Sequence, residues 1–244
     1  MTNTKVAFIT GGNRGIGLQT AKDLGKHGIT VVIGTRDPHK AEAALGELRG
    51  AGITADAIAY DAARPETDGA VVAYFEKKFG RLDILVNNAG MLGAELLGNN
   101  ATTVSQDVLR ETFDVNFFAP IRLTQALLPL LEKAPAGRVV NLTSVLGSLA
   151  VHSAPSSPIA PAKELAYNAS KTALNAFTVH LAAALAGTKI KVNSAHPGWV
   201  KTELGGAHAT MEVADSAKTS VRLALLDENG PTGGFFHEAE TLPW

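Results

Sequence analysis

The most informative stretch of the chain is KVAFITGGNRGIG, residues Lys5–Gly17. Its first part, Lys5–Thr10, is short and largely apolar, which is typical of a strand buried on both faces of a parallel sheet. A cluster of glycines follows, and a helical pattern continues through Leu24, with Gly25 and Gly28 as predicted stops. Small residues let the backbone approach a pyrophosphate, and a helix N-terminus offers free N–H groups to the anion. The stretch therefore predicts a dinucleotide-binding site rather than an ordinary turn, although its glycine spacing differs from G-x-G-x-x-G.

The end of the second predicted strand, Thr30–Gly34, bears on which dinucleotide binds. Arg36 lies about 20 residues after Gly17, where a dinucleotide fold meets the adenosine ribose. An acid at this place suits a ribose 2′-hydroxyl, whereas an arginine suits a 2′-phosphate. Arg14 adds a second cation, so the sequence predicts NADPH/NADP+ in preference to NADH. The alternative is that Arg36 is a solvated loop residue, and Asp37 counts mildly against a phosphate site unless it caps the next helix.

The rest of the chain continues the alternation of strands and helices. The further predicted strands are Thr54–Tyr60, Ile84–Val86, Arg138–Leu142, Lys189–Ala195 and Gly234–Phe236. The further predicted helices are Pro38–Gly50, Pro65–Phe79, one capped by Thr103 or Ser105 and reaching about Leu131, Tyr167–Leu185 and Glu212–Leu226. Pro129 should bend or end the third of these helices. The unbroken alternation predicts an α/β fold, with a single doubly wound parallel β-sheet of Rossmann type, helices on both faces, and residues 1–244 in one domain.

In such sheets, ligands bind beyond the carboxyl ends of the strands. Residues that follow the predicted strands should therefore collect at one edge, and they are Arg36, Asp61, Asn87, Ser144 and Pro197. Residues 93–101 are predicted as a loop. Residues 145–162, rich in proline and serine, and residues 197–212, which contain two adjacent glycines, are predicted to be loops on the substrate side.

The predicted helix that begins at Tyr167 carries Lys171 one turn further on, so the two side chains share a face. A free phenol, with a pKa of about 10, is a poor proton donor or acceptor at neutral pH. A fixed cation beside it should lower that pKa towards the working range. The pair therefore predicts a proton-transfer unit for the interconversion of a hydroxyl and a carbonyl, and the alternative is an ordinary surface pair.

Asn116 is a polar residue among several phenylalanines. A buried amide needs hydrogen-bond partners, so Asn116 is either a structural bridge or a residue that holds a water in a site.

The chain resembles the short-chain dehydrogenases/reductases over nearly its whole length. The resemblance rests on Thr10-Gly11-x-x-x-Gly15-Ile16-Gly17, Asp61, Asn87-Asn88-Ala89-Gly90, Asn116, Ser144, Tyr167-x-x-x-Lys171 and Pro197-Gly198 followed by Thr202. The long Ser144–Tyr167 segment, the glycine-rich segment after Thr202 and the Phe235-Phe236 to Pro243-Trp244 ending resemble the carbonyl-reductase-like branch. In that branch the extra segment can cover a helix face used elsewhere for tetramer assembly, so both a monomer and a homo-oligomer are open.

The resemblance implies roles for four catalytic residues. Ser144 would hydrogen-bond the substrate oxygen, Tyr167 would donate or accept its proton, and Lys171 would lower the pKa of the tyrosine and hold the nicotinamide ribose. Asn116 would position a water in a proton relay. The implied cofactor-binding residues are Gly11, Asn13, Arg14, Gly15, Ile16, Gly17, Arg36, Asp61, Asn87, Ala89, Tyr167, Lys171, Pro197, Val200 and Thr202. The expected function is NADPH-dependent, reversible reduction of a ketone or aldehyde to an alcohol.

Composition excludes several other classes. The chain has 244 residues, 45% hydrophobic and 18% charged, with a net charge of −1, so no nucleic-acid or membrane partner is expected. It has no cysteine, its seven histidines form no H-E-x-x-H motif, and no site for a metal is expected. No basic leader precedes the first strand, and no apolar run approaches the roughly 20 residues of a membrane helix, so a cytoplasmic protein is expected.

Two other functions compete with the reductase. A serine hydrolase is disfavoured because Ser144 lacks a G-x-S-x-G context. A non-catalytic NADP(H)-binding sensor or scaffold is the main alternative, but binding alone needs no proton donor, and the proton-transfer residues are all present. The expected partner is a small carbonyl or alcohol.

Overall fold

The structure is a computed structural model that describes residues 4–92 and 100–244. Within them, one sheet contains the strands β1 Val6–Thr10, β2 Thr30–Thr35, β3 Ala55–Ala59, β4 Ile84–Asn87, β5 Arg138–Leu142, β6 Lys191–Ala195, β7 Phe235–His237 and β8 Glu240–Thr241. Their order is β3-β2-β1-β4-β5-β6-β7-β8, and every neighbouring pair is parallel except β7 and β8. The order reverses between β1 and β4, which is where doubly wound sheets open a crevice for ligands.

Helices cover both faces of this sheet. They are α1 Gly15–Lys26, α2 Pro38–Gly50, α3 Thr67–Lys78, α4 Gln106–Phe113, α5 Ala119–Glu132, α6 Leu149–Ser153, α7 Leu165–Ala184 and α8 Lys218–Ala224. A π-helical turn, Asp114–Phe118, joins α4 to α5, and 3-10 turns occupy Val145–Gly147 and Val213–Asp215. The predicted α/β fold with helices on both faces is confirmed.

The two hydrophobic cores follow from the alternation of side chains along each strand. Ala7 and Ile9 of β1 pack with apolar residues of α1, α2 and α8 on one face. Val6 and Phe8 pack with apolar residues of α3, α5 and α7 on the other. Both sets are fully or almost fully buried, which explains why this strand is apolar without alternation.

Local signals predicted several boundaries well. Helix α2 has the predicted bounds, and the Asp37 carboxylate accepts hydrogen bonds from the main-chain nitrogens of His39 and Lys40 at 3.0 and 3.3 Å. Ser105 rather than Thr103 is the N-cap of α4, since its hydroxyl accepts a hydrogen bond from Val108 N at 3.2 Å. The loop predicted over residues 93–101 falls almost wholly outside the described residues.

Gly25 does not stop its helix and Pro129 does not end the helix that contains it, because packing outweighed propensity. Gly25 lies inside α1, where a Cβ would come within 2.3 Å of Ile53, so this glycine permits close packing rather than stopping the helix. Pro129 lies inside α5, which continues to Glu132 with Leu127, Leu130 and Leu131 buried.

Three further predictions need correction towards the C-terminal half. Residues 145–162 are not loop throughout, because a 3-10 turn and α6 lie within them. The helix predicted over Glu212–Leu226 is reduced to a 3-10 turn and the seven-residue α8. The sheet is not wholly parallel, because β8 pairs antiparallel with β7 through a tight turn in which Glu238 has a φ of 47°. A glutamate is an unusual residue at a positive φ, so the sequence carried no turn signal there.

Candidate active site

The glycine turn, residues Gly11–Gly17, lies at the carboxyl end of β1 and leads into α1. Gly15 has a φ of 53°, a conformation that other residues rarely adopt. A Cβ on Gly17 would lie 2.4 Å from the carbonyl oxygen of Gly11 and 2.5 Å from the side-chain nitrogen of Asn88. Because its glycines have no side chains, this turn lets a ligand approach the main chain at the start of α1. This arrangement fits the pyrophosphate of a dinucleotide.

Thr10 and Asn88 join the glycine turn to the segment after β4. Asn88 Nδ2 donates hydrogen bonds to the carbonyl oxygens of Thr10 and Gly11 at 2.7 and 3.2 Å. The Thr10 hydroxyl oxygen accepts hydrogen bonds from the main-chain nitrogens of Asn88 and Ala89 at 3.0 and 2.9 Å. This bridging role of Thr10 and Asn88 was not predicted from the sequence, although each is a polar residue at one of two neighbouring strand ends.

The side chain of Asn87 is used inside the protein. It is 2% exposed, and its Nδ2 donates to Thr124 Oγ1 at 3.0 Å and to Asn141 Oδ1 at 2.8 Å. These bonds tie β4 to β5 and α5. The Nδ2 group of Asn87 is therefore engaged inside the protein, whereas its buried Oδ1 has no hydrogen-bond partner among the described residues.

Ser144, Tyr167 and Lys171 meet at the carboxyl end of β5, and we call them the Ser–Tyr–Lys group. Ser144 directly follows Thr143 at that strand end, its Oγ accepts a hydrogen bond from Leu146 N at 3.2 Å, and its hydroxyl lowers the pKa of the Tyr167 phenol. Tyr167 and Lys171 lie one turn apart near the start of α7 and are 9% and 4% exposed. Lys171 Nζ is 5.7 Å from the centroid of the Tyr167 ring and donates to the carbonyl oxygen of Leu142 at 2.9 Å. The predicted shared face is confirmed, and the alternative of a surface pair is excluded because both residues are buried.

The pKa of Tyr167 shifts in the opposite direction to the one predicted. Burial raises it to about 12, the hydrogen bond from Ser144 lowers it, and the Glu164 carboxylate raises it. Burial also lowers the pKa of Lys171 to about 8, because a low-dielectric surrounding disfavours the charged ammonium. The expected net lowering of the phenol pKa is therefore wrong for this structure, because desolvation of the phenolate outweighs any stabilisation by a neighbouring cation.

Asn116 forms the structural bridge that was one of its two predicted roles. It is fully buried in the π-helical turn, its Oδ1 accepts from Met91 N at 2.8 Å, and its Nδ2 donates to Met91 O at 2.8 Å and Ser170 Oγ at 3.1 Å. The bridge ties the segment after β4 to α7. A Cβ on Gly90 would lie 3.3 Å from Asn116 Oδ1 and 3.4 Å from Lys171 Nζ, so both polar groups adjoin this glycine.

The two predicted phosphate-binding arginines have different surroundings. Arg14 forms an ion pair with Glu203, a residue that no sequence motif singled out. Arg36 is exposed at the end of β2, and no carboxylate within the described ranges pairs with it. Arg36 therefore keeps a free guanidinium, whereas that of Arg14 is shared.

The remaining predicted cofactor residues lie around the glycine turn or at neighbouring strand ends. Thr202 is next to the turn, since a Cβ on Gly15 would lie 3.3 Å from Thr202 Cγ2. Asp61 follows β3, where its Oδ1 accepts from Ala63 N at 3.1 Å and its other oxygen is 3.8 Å from Arg64. Val200 is buried and forms a β-bridge with Met211. The others follow β1, β4 or β6, and they are Asn13, Ile16, Ala89 and Pro197.

A Rossmann-type sheet with a glycine turn and a buried Ser–Tyr–Lys group defines a class of oxidoreductase that uses a nicotinamide cofactor. The profile of the short chain dehydrogenase family matches residues 5–212, so this protein belongs to that family. The predicted membership is confirmed.

Similar proteins lie in the carbonyl-reductase-like part of the family, as predicted. The chain is 30% identical to carbonyl reductase [NADPH] 1 of Mus musculus over 98% of both chains. It is 28% identical to short-chain dehydrogenase/reductase 1 of Saponaria officinalis, over 100% of this chain and 97% of that one. The crystal structure of NADPH-bound carbonyl reductase from chicken fatty liver superposes with a TM-score of 0.85 at 26% identity and covers 100% of both chains.

No helix in the described part of the chain is long and apolar enough to span a membrane. Across residues 4–92 and 100–244, no three or more metal-binding side chains of His, Cys, Asp or Glu come together.

Proposed function

We propose that this protein is an NADPH-dependent carbonyl reductase that converts a ketone or aldehyde to an alcohol, reversibly, with Tyr167 as the proton donor. The observation that carries the proposal is the buried Ser–Tyr–Lys group at the same sheet edge as the glycine turn. Binding alone would not require a buried phenol that interacts with the Ser144 hydroxyl and lies beside a buried lysine.

The cofactor supplies the hydride when it is bound. Negative charge then develops on the substrate oxygen, and the hydroxyls of Ser144 and Tyr167 are the donors that stabilise it. Because burial raises the pKa of Tyr167 to about 12, the phenol keeps its proton until a stronger base, the developing alkoxide, takes it. Lys171, oriented by the carbonyl of Leu142, stabilises the phenolate that remains and binds the nicotinamide ribose.

We assign Asn116 a positioning role in returning the proton. Its side chain holds the segment after β4 against α7, and its amide oxygen and the Lys171 ammonium both adjoin Gly90. A water held by Asn116 would connect Lys171 to solvent. The π-helical turn supports this role, because such turns frequently interrupt regular helices at functional sites.

The cofactor would extend from β3 to β6 along the carboxyl edge of the sheet. Its 2′-phosphate would lie between Arg14 and Arg36, and the free guanidinium of Arg36 supports NADPH over NADH. The pyrophosphate would contact Gly11, Asn13, Gly15, Ile16 and Gly17, and Asp61 would contact the adenine. The nicotinamide half would contact Asn87, Ala89, Tyr167, Lys171, Pro197, Val200 and Thr202.

We propose residues 145–162 and 197–212 as the substrate-side loops of a single domain over residues 1–244. The second of these presents Trp199, which is 54% exposed and whose Nε1 donates to Gly205 O at 2.9 Å. An exposed aromatic side chain held by one hydrogen bond favours a partly apolar substrate.

Cofactor consumption tests the proposal. NADPH and NADH should be supplied with a panel of aldehydes, cyclic ketones, diketones and quinones, and turnover with NADPH is expected to exceed turnover with NADH. Binding of NADPH without turnover of any member would favour a sensor or scaffold instead, and a preference for NADH would overturn the roles of Arg14 and Arg36.

A further inference from the structure

The 3-10 turn Val145–Gly147 comes directly after Ser144 and orients the Ser144 hydroxyl. Ser144 is the N-cap of this turn, and its Oγ accepts a hydrogen bond from Leu146 N at 3.2 Å. Gly147 N donates to Ser144 O at 2.8 Å and closes the turn. The bond from Leu146 uses an acceptor site of the Ser144 hydroxyl and leaves its proton free to be donated. The position of the turn therefore sets the direction in which Ser144 donates.

Gly147 is the residue through which this turn contacts α7. It is buried, and a Cβ there would lie 2.8 Å from the carbonyl carbon of Lys171, 2.9 Å from Lys171 Cβ and 2.9 Å from Thr172 N. The turn that orients Ser144 is therefore packed directly against the main chain of the lysine in the Ser–Tyr–Lys group. A side chain at Gly147 would have to move the turn away from the helix.

The Thr172 hydroxyl fixes this contact. It donates to Gly147 O at 2.9 Å and to Asn168 O at 3.0 Å, so one proton is shared between the turn and the helix. A threonine in an isolated helix can bond only to the carbonyl one turn earlier, which here is that of Asn168. Asn175 Nδ2 reaches the same Gly147 carbonyl at the longer distance of 3.4 Å. The bond to Gly147 is thus a tertiary contact that Thr172 adds to its ordinary helical one.

The chain beyond the turn is anchored by a separate set of contacts. Ser148 is fully buried, and its hydroxyl donates to Pro243 O at 2.8 Å. Ala150 N donates to Trp244 O at 2.8 Å, and the Trp244 ring stacks on that of Phe235 with their centroids 5.6 Å apart. Loss of the Thr172 bond should therefore displace the turn locally and leave the following segment folded.

We infer that Thr172 is a positioning residue for the reduction, because its hydroxyl holds the turn that aligns the Ser144 hydroxyl with that of Tyr167. The inference rests on the proposed function. Two donors that act on one developing negative charge must be placed within about 0.5 Å of the productive geometry. Displacement of the turn should therefore slow the chemical step and leave cofactor binding unchanged.

The first test compares three substitutions of threonine. Thr172→Val removes the hydroxyl and keeps the shape, and Thr172→Ser keeps the hydroxyl. Thr20→Val is the matched control, since the Thr20 hydroxyl donates to Ile16 O of its own helix at 2.8 Å and bonds to no other element in the described part of the chain. We expect Thr172→Val to lower kcat for a reduced carbonyl about tenfold, because small misplacements of reacting groups cost up to about 10²-fold. The Kd of NADPH should not change, and the other two variants should remain within about twofold of the original kcat.

The second test repeats Thr172→Val in a Ser144→Ala protein. If Thr172 acts through Ser144, its loss should have no further effect on kcat there, so the two substitutions should be non-additive. A general structural effect would lower kcat by the same factor in both proteins. Gly147→Ala disturbs the same contact from the turn and should behave as Thr172→Val does in both proteins, while urea unfolding checks that each variant is folded.

An unchanged kcat in Thr172→Val, an equal loss with and without Ser144, or the unfolding of both Thr172→Val and Gly147→Ala would overturn this inference and leave the proposed function intact. Failure of the unmodified protein to reduce any member of the carbonyl panel would overturn both.

Discussion

The glycine turn after β1 and the Ser–Tyr–Lys group after β5 lie at the same edge of the sheet but depend on different physical effects. The glycine turn is shaped by backbone sterics, since a single Cβ on Gly17 would meet main-chain oxygen at 2.4 Å. The Ser–Tyr–Lys group is shaped by desolvation, which moves the pKa of Tyr167 up to about 12 and that of Lys171 down to about 8. A change in the glycine turn should therefore impair cofactor binding, whereas a change in the Ser–Tyr–Lys group should impair the catalytic step.

The largest difference between the effect on kcat and the effect on NADPH affinity is expected from Tyr167→Phe. Loss of the proton donor should lower kcat by about 10²–10⁴-fold, the usual contribution of general acid catalysis, while NADPH affinity stays within a factor of two or so of the original. Steady-state kinetics and fluorescence titration of NADPH measure the two effects. Tyr74→Phe on α3, whose hydroxyl donates to Asp56, is the control and should remain active. Normal turnover in Tyr167→Phe would contradict the assignment of the acid.

The buried lysine predicts an unusual pH dependence of stability. Its folded pKa of about 8 lies below the value of about 10.4 in an unfolded chain, so between these values the unfolded state binds more protons. The free energy of unfolding should therefore rise with pH over this window, by about 3 kcal/mol at most from this group. Tyr167, with a raised pKa, works the other way and reduces stability as pH increases above about 10.

Lys171→Met isolates this effect. Urea unfolding of both proteins between about pH 7 and 10 should show a steeper rise for the original chain, because all other titrating groups are shared. Parallel curves would mean that Lys171 is not desolvated as the structure indicates.

Gly17→Ala should affect the other region. The collision with the carbonyl oxygen of Gly11 and with Asn88 should weaken NADPH binding by roughly 10–100-fold and destabilise the fold by about 1–3 kcal/mol. Gly46→Ala is the matched control, because a Cβ there meets nothing within 4 Å and should stabilise α2 by up to about 1 kcal/mol. If Gly17→Ala bound NADPH normally, the steric description of the glycine turn would be wrong.

The smallest effect is expected from Arg36→Ala. Loss of one charge-assisted contact should reduce the preference for NADPH over NADH by about tenfold, with kcat unchanged. Arg49→Ala, on α2, should leave the preference intact. The ratio of kcat/KM for the two cofactors is the measurement, and an unaltered ratio in Arg36→Ala would place the 2′-phosphate elsewhere.

Features that depend on a few adjacent residues were predictable from the sequence. The bounds of α2 follow from a capping aspartate and a proline at its start, and β5 was predicted at its observed bounds. The spacing of Tyr167 and Lys171 was enough to place them on one face. Features that depend on distant packing were not predictable, as Gly25 against Ile53 and the uninterrupted passage of α5 through Pro129 both illustrate.

The sequence by itself determined the alternation of β1 to β7 with the main helices, the glycine turn and the presence of a phenol and an ammonium one turn apart, because these depend on local propensity and helical periodicity. The tertiary structure alone decided how those groups ionise, what Asn116 and Asn87 bond to, and that Thr172 bonds to the turn after Ser144. The reason is that desolvation and hydrogen bonding depend on which distant segments enclose a side chain, and spacing along the chain does not encode that enclosure.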